Sequence, residues 1–490
     1  MCWPSNEGAL RKGHTLQPVR TVGCRRCLKV LVLSCVACTQ ATPSNAGESS
    51  AIRPNIVYIN VDDLGWTDLG YQGSKFYETP NIDRLASQGM VFTNAYAPAA
   101  NCAPSRACCL TGQYTPRHGV YTVGNSDRGR TQDRKLVPIE NTLFIDDANL
   151  TFAHALKTVG YRTCTIGKWH VSSDPLKNGF DVNIAGSDWG HPHKGYFRPF
   201  GMPGLEEGPA GEYLTERLTA EAIRFMTENK DRPFLLYLPY YTVHSPLQAK
   251  PDKQAMFEKK AASAAHKNAK YAAMIQSLDE GVGRLLDTLD ALGIAQNTLL
   301  LFTSDNGGVW NTSKQWPLRA GKGSYYEGGI REPMIVRWPG KIKPGSRCDV
   351  AVSGIDFFPT FLEAARAPLP QGKRLDGVSL IPLLTQSGTI KHRPLFWHFP
   401  IYLQGGNSET RDRLFRTRPG SVVRHGDWKL HEYFEDGGLE LYNLKDDIGE
   451  KNNLADKKPA KVNELHALLQ AWRGDTDAPV PMTLNPKYRP

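Results

Sequence analysis

Short apolar runs and amphipathic stretches alternate through most of the chain. Asn55-Ile56-Val57-Tyr58-Ile59-Asn60-Val61 is mostly apolar and β-branched, the mark of a strand buried on both faces. Similar runs recur at 90–96, 161–166, 233–238, 298–303 and 334–337. Between them lie helical patterns. Residues 271–292 carry Ile275, Leu278, Val282, Leu285 and Leu289 at helical spacing, so one face turns to a core. Helices are also expected from Pro80 through Leu85 to Gly89, at 151–158 with Gly160 as a stop, at 211–230 and at 355–365. Residues 181–200 read as a loop. Strand then helix, repeated, predicts an α/β fold: a large, mostly parallel sheet sandwiched by helices.

Near Lys391-His392-Arg393-Pro394 the pattern changes. Short strands at 395–399, 421–424, 428–433 and 439–446 are separated by Gly and Asp turns. A final helix is expected at 460–472, with Pro459 at its start. This reads as a small C-terminal antiparallel α+β subdomain. The expected division is 1–50 as a leader, 51–390 as the main body and 391–490 as the subdomain. A chain of 490 residues exceeds the usual size of one core, which agrees with that division.

In the leader, Arg25-Arg26-Cys27-Leu28-Lys29 precedes an apolar run from Val30 to Cys38 and then Thr39-Gln40-Ala41. A basic patch, a short apolar run and small residues make an export signal. The run is too short to span a bilayer. No later stretch is a transmembrane candidate. Val32-Leu33-Ser34-Cys35 resembles a bacterial lipoprotein box imperfectly, which leaves a lipid anchor open. The net charge is +10; six Lys/Arg against two Asp/Glu give residues 1–50 +4 and leave +6 to the remainder. A basic body suits an anionic substrate. The basic residues are scattered, and no zinc spacing or aromatic-basic RNA motif appears, so no nucleic acid is expected. Of ten cysteines, the body holds Cys102, Cys108, Cys109, Cys164 and Cys348, with no C-x-x-C pair.

Candidate chemistry follows the strands. Asp62-Asp63 comes directly after 55–61. Two adjacent carboxylates at a buried strand end repel each other and lose hydration, so they need a cation. Asp305-Asn306 stands just past 298–303, and oxygen donors of this kind favour Ca²⁺ or Mg²⁺ over zinc. Lys168 and His170 follow 161–166, His244 follows 233–238, and Lys322 lies in Gly321-Lys322-Gly323. In a parallel sheet the strands' C-terminal ends share one rim, where ligands bind. Residues 101–112 read as a loop entering a short helix, with Pro104 in its first turn and Gly112 as its stop. Cys102 is thus expected just ahead of a helix N-terminus, where free N–H groups favour an anion, and Arg106 adds a permanent charge one turn on. Asp188, Trp189, His191, His193 and Arg198 could line the pocket mouth or form a plain surface loop. His398 and residues 404–418 are candidates for the rim or for plain scaffold.

Cys102-Ala103-Pro104-Ser105-Arg106 followed by Thr111-Gly112 resembles the sulfatase signature. Gly160 to His170 matches the second signature of that family, G-Y-x-T-x-x-I-G-K-x-H, without a break. The resemblance runs from about Pro54 to Asp456. Asn101 and Cys109 depart from the usual pattern, and Cys109 is expected to loosen helix packing. The resemblance implies an alkaline-phosphatase-like fold and hydrolysis of a sulfate ester. It implies that a maturation enzyme oxidises Cys102 to formylglycine, and that one Ca²⁺ is held by Asp62, Asp63, Asp305, Asn306 and residue 102. The aldehyde hydrate would attack sulfur, with Asp305 taking its proton. Lys168, Lys322 and Arg106 would balance charge on the sulfate oxygens. His244 would protonate the departing alcohol, and His170 would take the proton that lets the aldehyde re-form. A sulfated carbohydrate is the expected substrate, met in the periplasm or outside the cell. Of two glycosylation sequons, at Asn149 and Asn311, the second lies five residues past Asn306, an awkward place for a glycan, which favours a bacterial source. The rival readings are a phosphonate or phosphate ester hydrolase with the same nucleophile, and a non-catalytic glycan-binding protein whose cysteine is never matured.

Overall fold

Among the described residues, eight strands form the main sheet: β1 (Asn55–Val61), β2 (Met90–Phe92), β3 (Arg162–Ile166), β4 (Val182–Ile184), β5 (Phe234–Pro239), β6 (Thr298–Ser304), β7 (Met334–Arg337) and β8 (Ser346–Cys348). The structure is a computed structural model and describes residues 53–489. The export signal and lipoprotein box expected at 1–50 lie outside the described residues. The strand order is β4-β3-β5-β1-β6-β7-β2-β8. From β4 to β6 every pairing is parallel. Only β7 runs against its neighbours β6 and β2.

The apolar character of β1 follows from its place. Val57, Ile59 and Val61 enter one core layer, and Ile56 and Tyr58 enter the other, because alternate side chains of a strand point to opposite faces. The helix Ala269–Ala291 covers the first layer with Ile275, Leu278, Val282, Leu285 and Leu289. Burying each of these contributes about 2 kcal/mol before the entropy of ordering is subtracted. The helices Cys102–Thr111, Phe152–Lys157 and Phe357–Ala365 cover the second layer.

Two stretches differ from expectation. Residues 90–96 form two strands rather than one. Met90–Phe92 pairs with β7 and β8, while Ala95–Tyr96 pairs with Val352–Ser353. The chain changes partner at Thr93-Asn94. There the Thr93 carbonyl accepts from Arg331 Nη2 at 2.6 Å, and Asn94 Nδ2 donates to the Asp349 carbonyl at 2.6 Å. Residues 181–200 are not all loop, since β4 adds an edge strand to β3. Three residues are too few to show a period.

A second sheet, hydrogen-bonded separately, follows: β9 (Leu395–Phe399), β10 (Gly420–His425), β11 (Trp428–Tyr433) and β12 (Leu439–Asn443), antiparallel in that order. The helix Pro459–Thr476 packs Val462, Leu465, Leu469 and Trp472 against it. Between β9 and β10, Leu403–Gln404 pairs with Phe415–Thr417 in a short ribbon. No helix among the described residues is long and apolar enough to cross a membrane.

Candidate active site

The C-terminal ends of β3, β5, β1 and β6 lie side by side. The hydrogen-bond ladder continues past them. Asp305 N donates to Val61 O at 3.0 Å, Asp62 N to Thr242 O at 3.0 Å, Val243 N to Asp62 O at 2.7 Å and Lys168 N to Pro239 O at 2.7 Å. These bonds fix the four loops that carry Asp62-Asp63, Lys168-Trp169-His170, His244 and Asp305-Asn306. Gly167 makes the turn after β3. Its φ is +115°, and a Cβ there would lie 2.2 Å from the Pro239 carbonyl. Asp63 and His170 also hold positive φ, +62° and +69°. Strain of this kind costs of order 1–3 kcal/mol per residue and gathers at functional sites.

The helix Cys102–Thr111 delivers the remaining groups. It begins at Cys102 itself, with Asn101 in the preceding position and making no side-chain cap, so the expected start is corrected by one residue. Gly112 ends it at φ +67°. Lys322 Nζ lies 3.1 Å from Cys102 Sγ and 2.6 Å from Asp63 Oδ1. Lys168 Nζ lies 2.6 Å from Asp62 Oδ2. His244 Nε2 is 3.8 Å from Asp63 Oδ2, and its Nδ1 is 2.7 Å from the Ser245 carbonyl, which assigns the Nδ1–H tautomer. One ligand atom each from Asp62, Cys102 and His244 lies within 4.8 Å of the others, as does one each from Asp62, Asp63 and Asp305. Arg106 is fully buried behind them. It donates to Asp305 Oδ2 from Nε at 2.9 Å and to the Lys168 carbonyl from Nη1 at 3.0 Å.

Residues 54–367 match the family profile described as Sulfatase, and residues 321–474 match one described as N-sulphoglucosamine sulphohydrolase, C-terminal. A sulfatase of Formosa agariphila is 34% identical over 92% of this chain and 93% of its own length. The chain belongs to the sulfatase family. It is a sulfuric ester hydrolase. Human N-acetylgalactosamine-6-sulfatase is 33% identical over 72% of this chain and 70% of its own. The crystal structure of Ps i-CgsB in complex with k-i-k-neocarrahexaose superposes with a TM-score of 0.71 at 31% identity, covering 86% of this chain and 93% of that one.

The sulfatase's acid cluster is out of balance without a cation. Burial pushes Asp62 up to about 8, against the pull of Lys168. Burial would raise Asp63 too, but Lys322, His244 and Lys168 outweigh it and hold that carboxyl well below its usual range. Burial lowers His244 to about 4 and His170 well below an ordinary imidazole. It raises the Cys102 thiol, although Lys168 and Lys322 oppose the shift. Asp62 Oδ1 and Asn306 Oδ1 are buried without a partner among the described residues. Three carboxylates that meet with one of their own oxygens and the Asn306 amide oxygen left open fit a hard divalent cation.

A cavity of about 370 Å³ opens on this rim. Cys102, His170, His244 and Lys322 line it, and so does His191 from the 181–200 segment. Trp189 and His193 stack on each other at 4.0 Å and do not line it. His398 is buried instead, 2.8 Å from Ser421 Oγ and 3.0 Å from the Pro479 carbonyl, and serves as scaffold. Cys109 is buried tightly, since a Cβ at Gly354 would lie 2.4 Å from its Sγ. Sequence reasoning missed Arg128, which lines the cavity. It sits in a turn with no signal to distinguish it from any basic surface turn. Arg416, also on the lining, lies inside the 404–418 stretch read as a rim candidate.

Proposed function

We propose that this sulfatase cleaves the S–O bond of a sulfate ester on a carbohydrate, with formylglycine made from Cys102 and one Ca²⁺ ion. The observation that carries this reading is the meeting of Cys102 Sγ, Lys322 Nζ and the Asp62 carboxylate on one rim. Once present, the ion supplies Lewis acidity toward a sulfate oxygen, and the oxidised residue 102 supplies a hydrated aldehyde as nucleophile. Asp62, Asp63, Asp305, Asn306 and residue 102 would hold the ion.

The chain's own groups do the rest. Lys168 and Lys322 bind the sulfate oxygens as charge develops on them. His244 Nε2, left free by its Nδ1–H tautomer, carries the proton that the departing alcohol needs. His170 accepts the proton that releases sulfate. Asp305 is the proton acceptor of the first step. Arg106 is better read as its positioning residue than as a direct sulfate contact, because its Nε and Nη1 donors are already taken by Asp305 and the Lys168 carbonyl. Cys102 is 2% exposed, so the maturation enzyme has to reach it before folding is complete.

The carbohydrate part of the reading draws on the relatives: one is named for N-acetylgalactosamine 6-sulfate, and another is complexed with k-i-k-neocarrahexaose. Export to the periplasm or beyond, with or without a lipid on the leader, remains part of the proposal, as does residues 391–490 forming a subdomain. The test is mass spectrometry of the Cys102 peptide, paired with sulfate release from a panel of sulfated sugars. An aldehyde at position 102 and multiple turnovers on a sugar sulfate are expected. An intact thiol in protein from the native host would overturn the reading, and so would faster turnover of phosphonate or phosphate esters.

A further inference from the structure

A second cavity, also about 370 Å³, adjoins the first. The two share Lys322, Gly405 and Arg416 on their walls, and neither wall includes an Asp or Glu. In the inner site each basic side chain already has an acidic partner: Lys168 has Asp62, Lys322 has Asp63 and Arg106 has Asp305. Arg128 and Arg416 come on top of that balance. Arg128 spends Nε on Gln404 Oε1 at 3.1 Å and Nη1 on the Val123 carbonyl at 2.6 Å. Arg416 spends Nε on the Gly405 carbonyl at 3.2 Å and Nη1 on the Lys322 carbonyl at 3.4 Å. In each, Nη2 has no acceptor among the described residues, and neither guanidinium is in an ion pair there. Arg411 and Arg418 of the same loop are, with Asp436 and Glu435.

This arrangement is costly in the free protein. Burial lowers both arginines; the field of Arg416 adds to the effect on Arg128, while Asp63 partly opposes it on Arg416. Yet the fold holds them there. Gly323, at φ +84°, lets the chain pass where a Cβ would lie 2.9 Å from Arg416 Cδ. Two half-buried cations outside any ion pair among the described residues, facing a cavity beside the nucleophile, are complementary to an oxyanion that a ligand brings.

The geometry points to a second oxyanion subsite, formed by Arg128 and Arg416, that selects substrates bearing another anionic group next to the scissile sulfate. The inference rests on the sulfatase reading and names its substrate class: a polyanionic carbohydrate rather than a singly sulfated one. The second anion is a sulfate on the same sugar or the carboxylate of a neighbouring uronate. Arg416 bonds the backbone of Lys322, whose Nζ touches Cys102 Sγ, so the two anions bind close together.

The test is a binding measurement that needs no turnover. The full chain carrying Cys102→Ala is titrated calorimetrically at low salt with three probes. They are N-acetylgalactosamine 6-sulfate, N-acetylgalactosamine 4,6-disulfate, and a disaccharide of a hexuronate linked to N-acetylgalactosamine 6-sulfate. One of the two dianions is expected to bind at least about tenfold tighter than the monoanion, the gain typical of an added charge-assisted pair. Which one does so identifies the source of the second anion. Arg128→Gln and Arg416→Gln should each shrink that ratio, and Arg416→Lys, which keeps charge but not the fork, should shrink it less. Thermal melts check that each variant is folded. Dianions that bind no tighter than the monoanion, or an advantage that survives in the double Gln variant, would overturn the subsite. The matured wild type turning over a monosulfated sugar is a separate readout. Turnover without a dianion preference sinks this inference alone; a dianion preference without turnover sinks only the catalytic reading.

Discussion

Two buried charge clusters in this sulfatase are finished to different degrees. One joins the main body to the second sheet. There Glu327 Oε1 accepts from Lys429 at 2.9 Å, and Oε2 from Tyr96 at 2.7 Å and Arg331 at 3.1 Å. Glu450 Oε1 lies 3.0 Å from Lys429 Nζ and 3.2 Å from His431 Nε2, and its Oε2 accepts from Glu327 N at 2.5 Å. Every carboxylate oxygen has a donor. At the sheet rim, Asp62 Oδ1 and Asn306 Oδ1 have none among the described residues, and Asp63 and His170 hold strained backbone. A network closed on itself can only hold parts together. A network with open oxygens has capacity left for something the chain does not contain.

Taking one acid from each cluster tests that difference most sharply. Asp62→Asn keeps the shape and removes the charge. Turnover should fall by at least about a thousandfold, near 4 kcal/mol of barrier. Stability measured in chelator should move by less than about 1 kcal/mol, because relief of repulsion among three carboxylates offsets the loss of Lys168's partner. Glu327→Gln should do the reverse. It leaves Arg331 and Lys429 short of a buried counter-charge, which costs about 3 kcal/mol in urea melts, while turnover per folded molecule stays within about twofold. If the two variants behaved alike, the contrast between the clusters would be wrong.

The third prediction follows from the open oxygens. Ca²⁺ at a hundred times its Kd should stabilise the chelated wild type by about 2.7 kcal/mol. The gain should persist in Glu327→Gln and vanish in Asp62→Asn. A calorimetric melt with and without the ion reads all three proteins. A gain that survives in Asp62→Asn would move the ion elsewhere.

What could be read from the chain beforehand follows the same division. The buried strands announced themselves, because two-sided burial leaves a run such as Asn55–Val61 almost wholly apolar. Asp62, Lys168, His244 and Asp305 were legible because each stands just past such a run. Other features were hidden. The edge strand Val182–Ile184 is too short to carry a period. The break at Thr93-Asn94 depends on Arg331, 237 positions away in the chain from Asn94. For Arg106 the sequence gives a charge near the site but not its partner, which the fold supplies as Asp305. Arg128 and Arg416 meet over the cavity only because the ribbon of Leu403 and Phe415 folds back beside residue 322, and no local pattern encodes that meeting.

The smallest effect concerns acid. Burial would raise Glu327, but Lys429, Arg331 and Arg424 outweigh it and hold the carboxyl at about 2, against an ordinary 4.5. A carboxyl depressed in the folded chain gives stability that is fully present above the ordinary value and is withdrawn as pH falls toward the folded one. Between pH 5.5 and 3.5 only the first part of that window is crossed. One pH unit below 4.5 corresponds to about 1.4 kcal/mol for a single group. Wild type should therefore lose roughly 1 kcal/mol more than Glu327→Gln over this range. Urea midpoints at the two pH values, taken in chelator, give the comparison, since protonation of the rim acids is then common to both proteins. Equal losses would mean that Lys429 and Arg331 do not hold Glu327 down. The closed cluster would then owe its strength to Glu450, whose oxygens are met by Lys429, His431 and the backbone of residue 327.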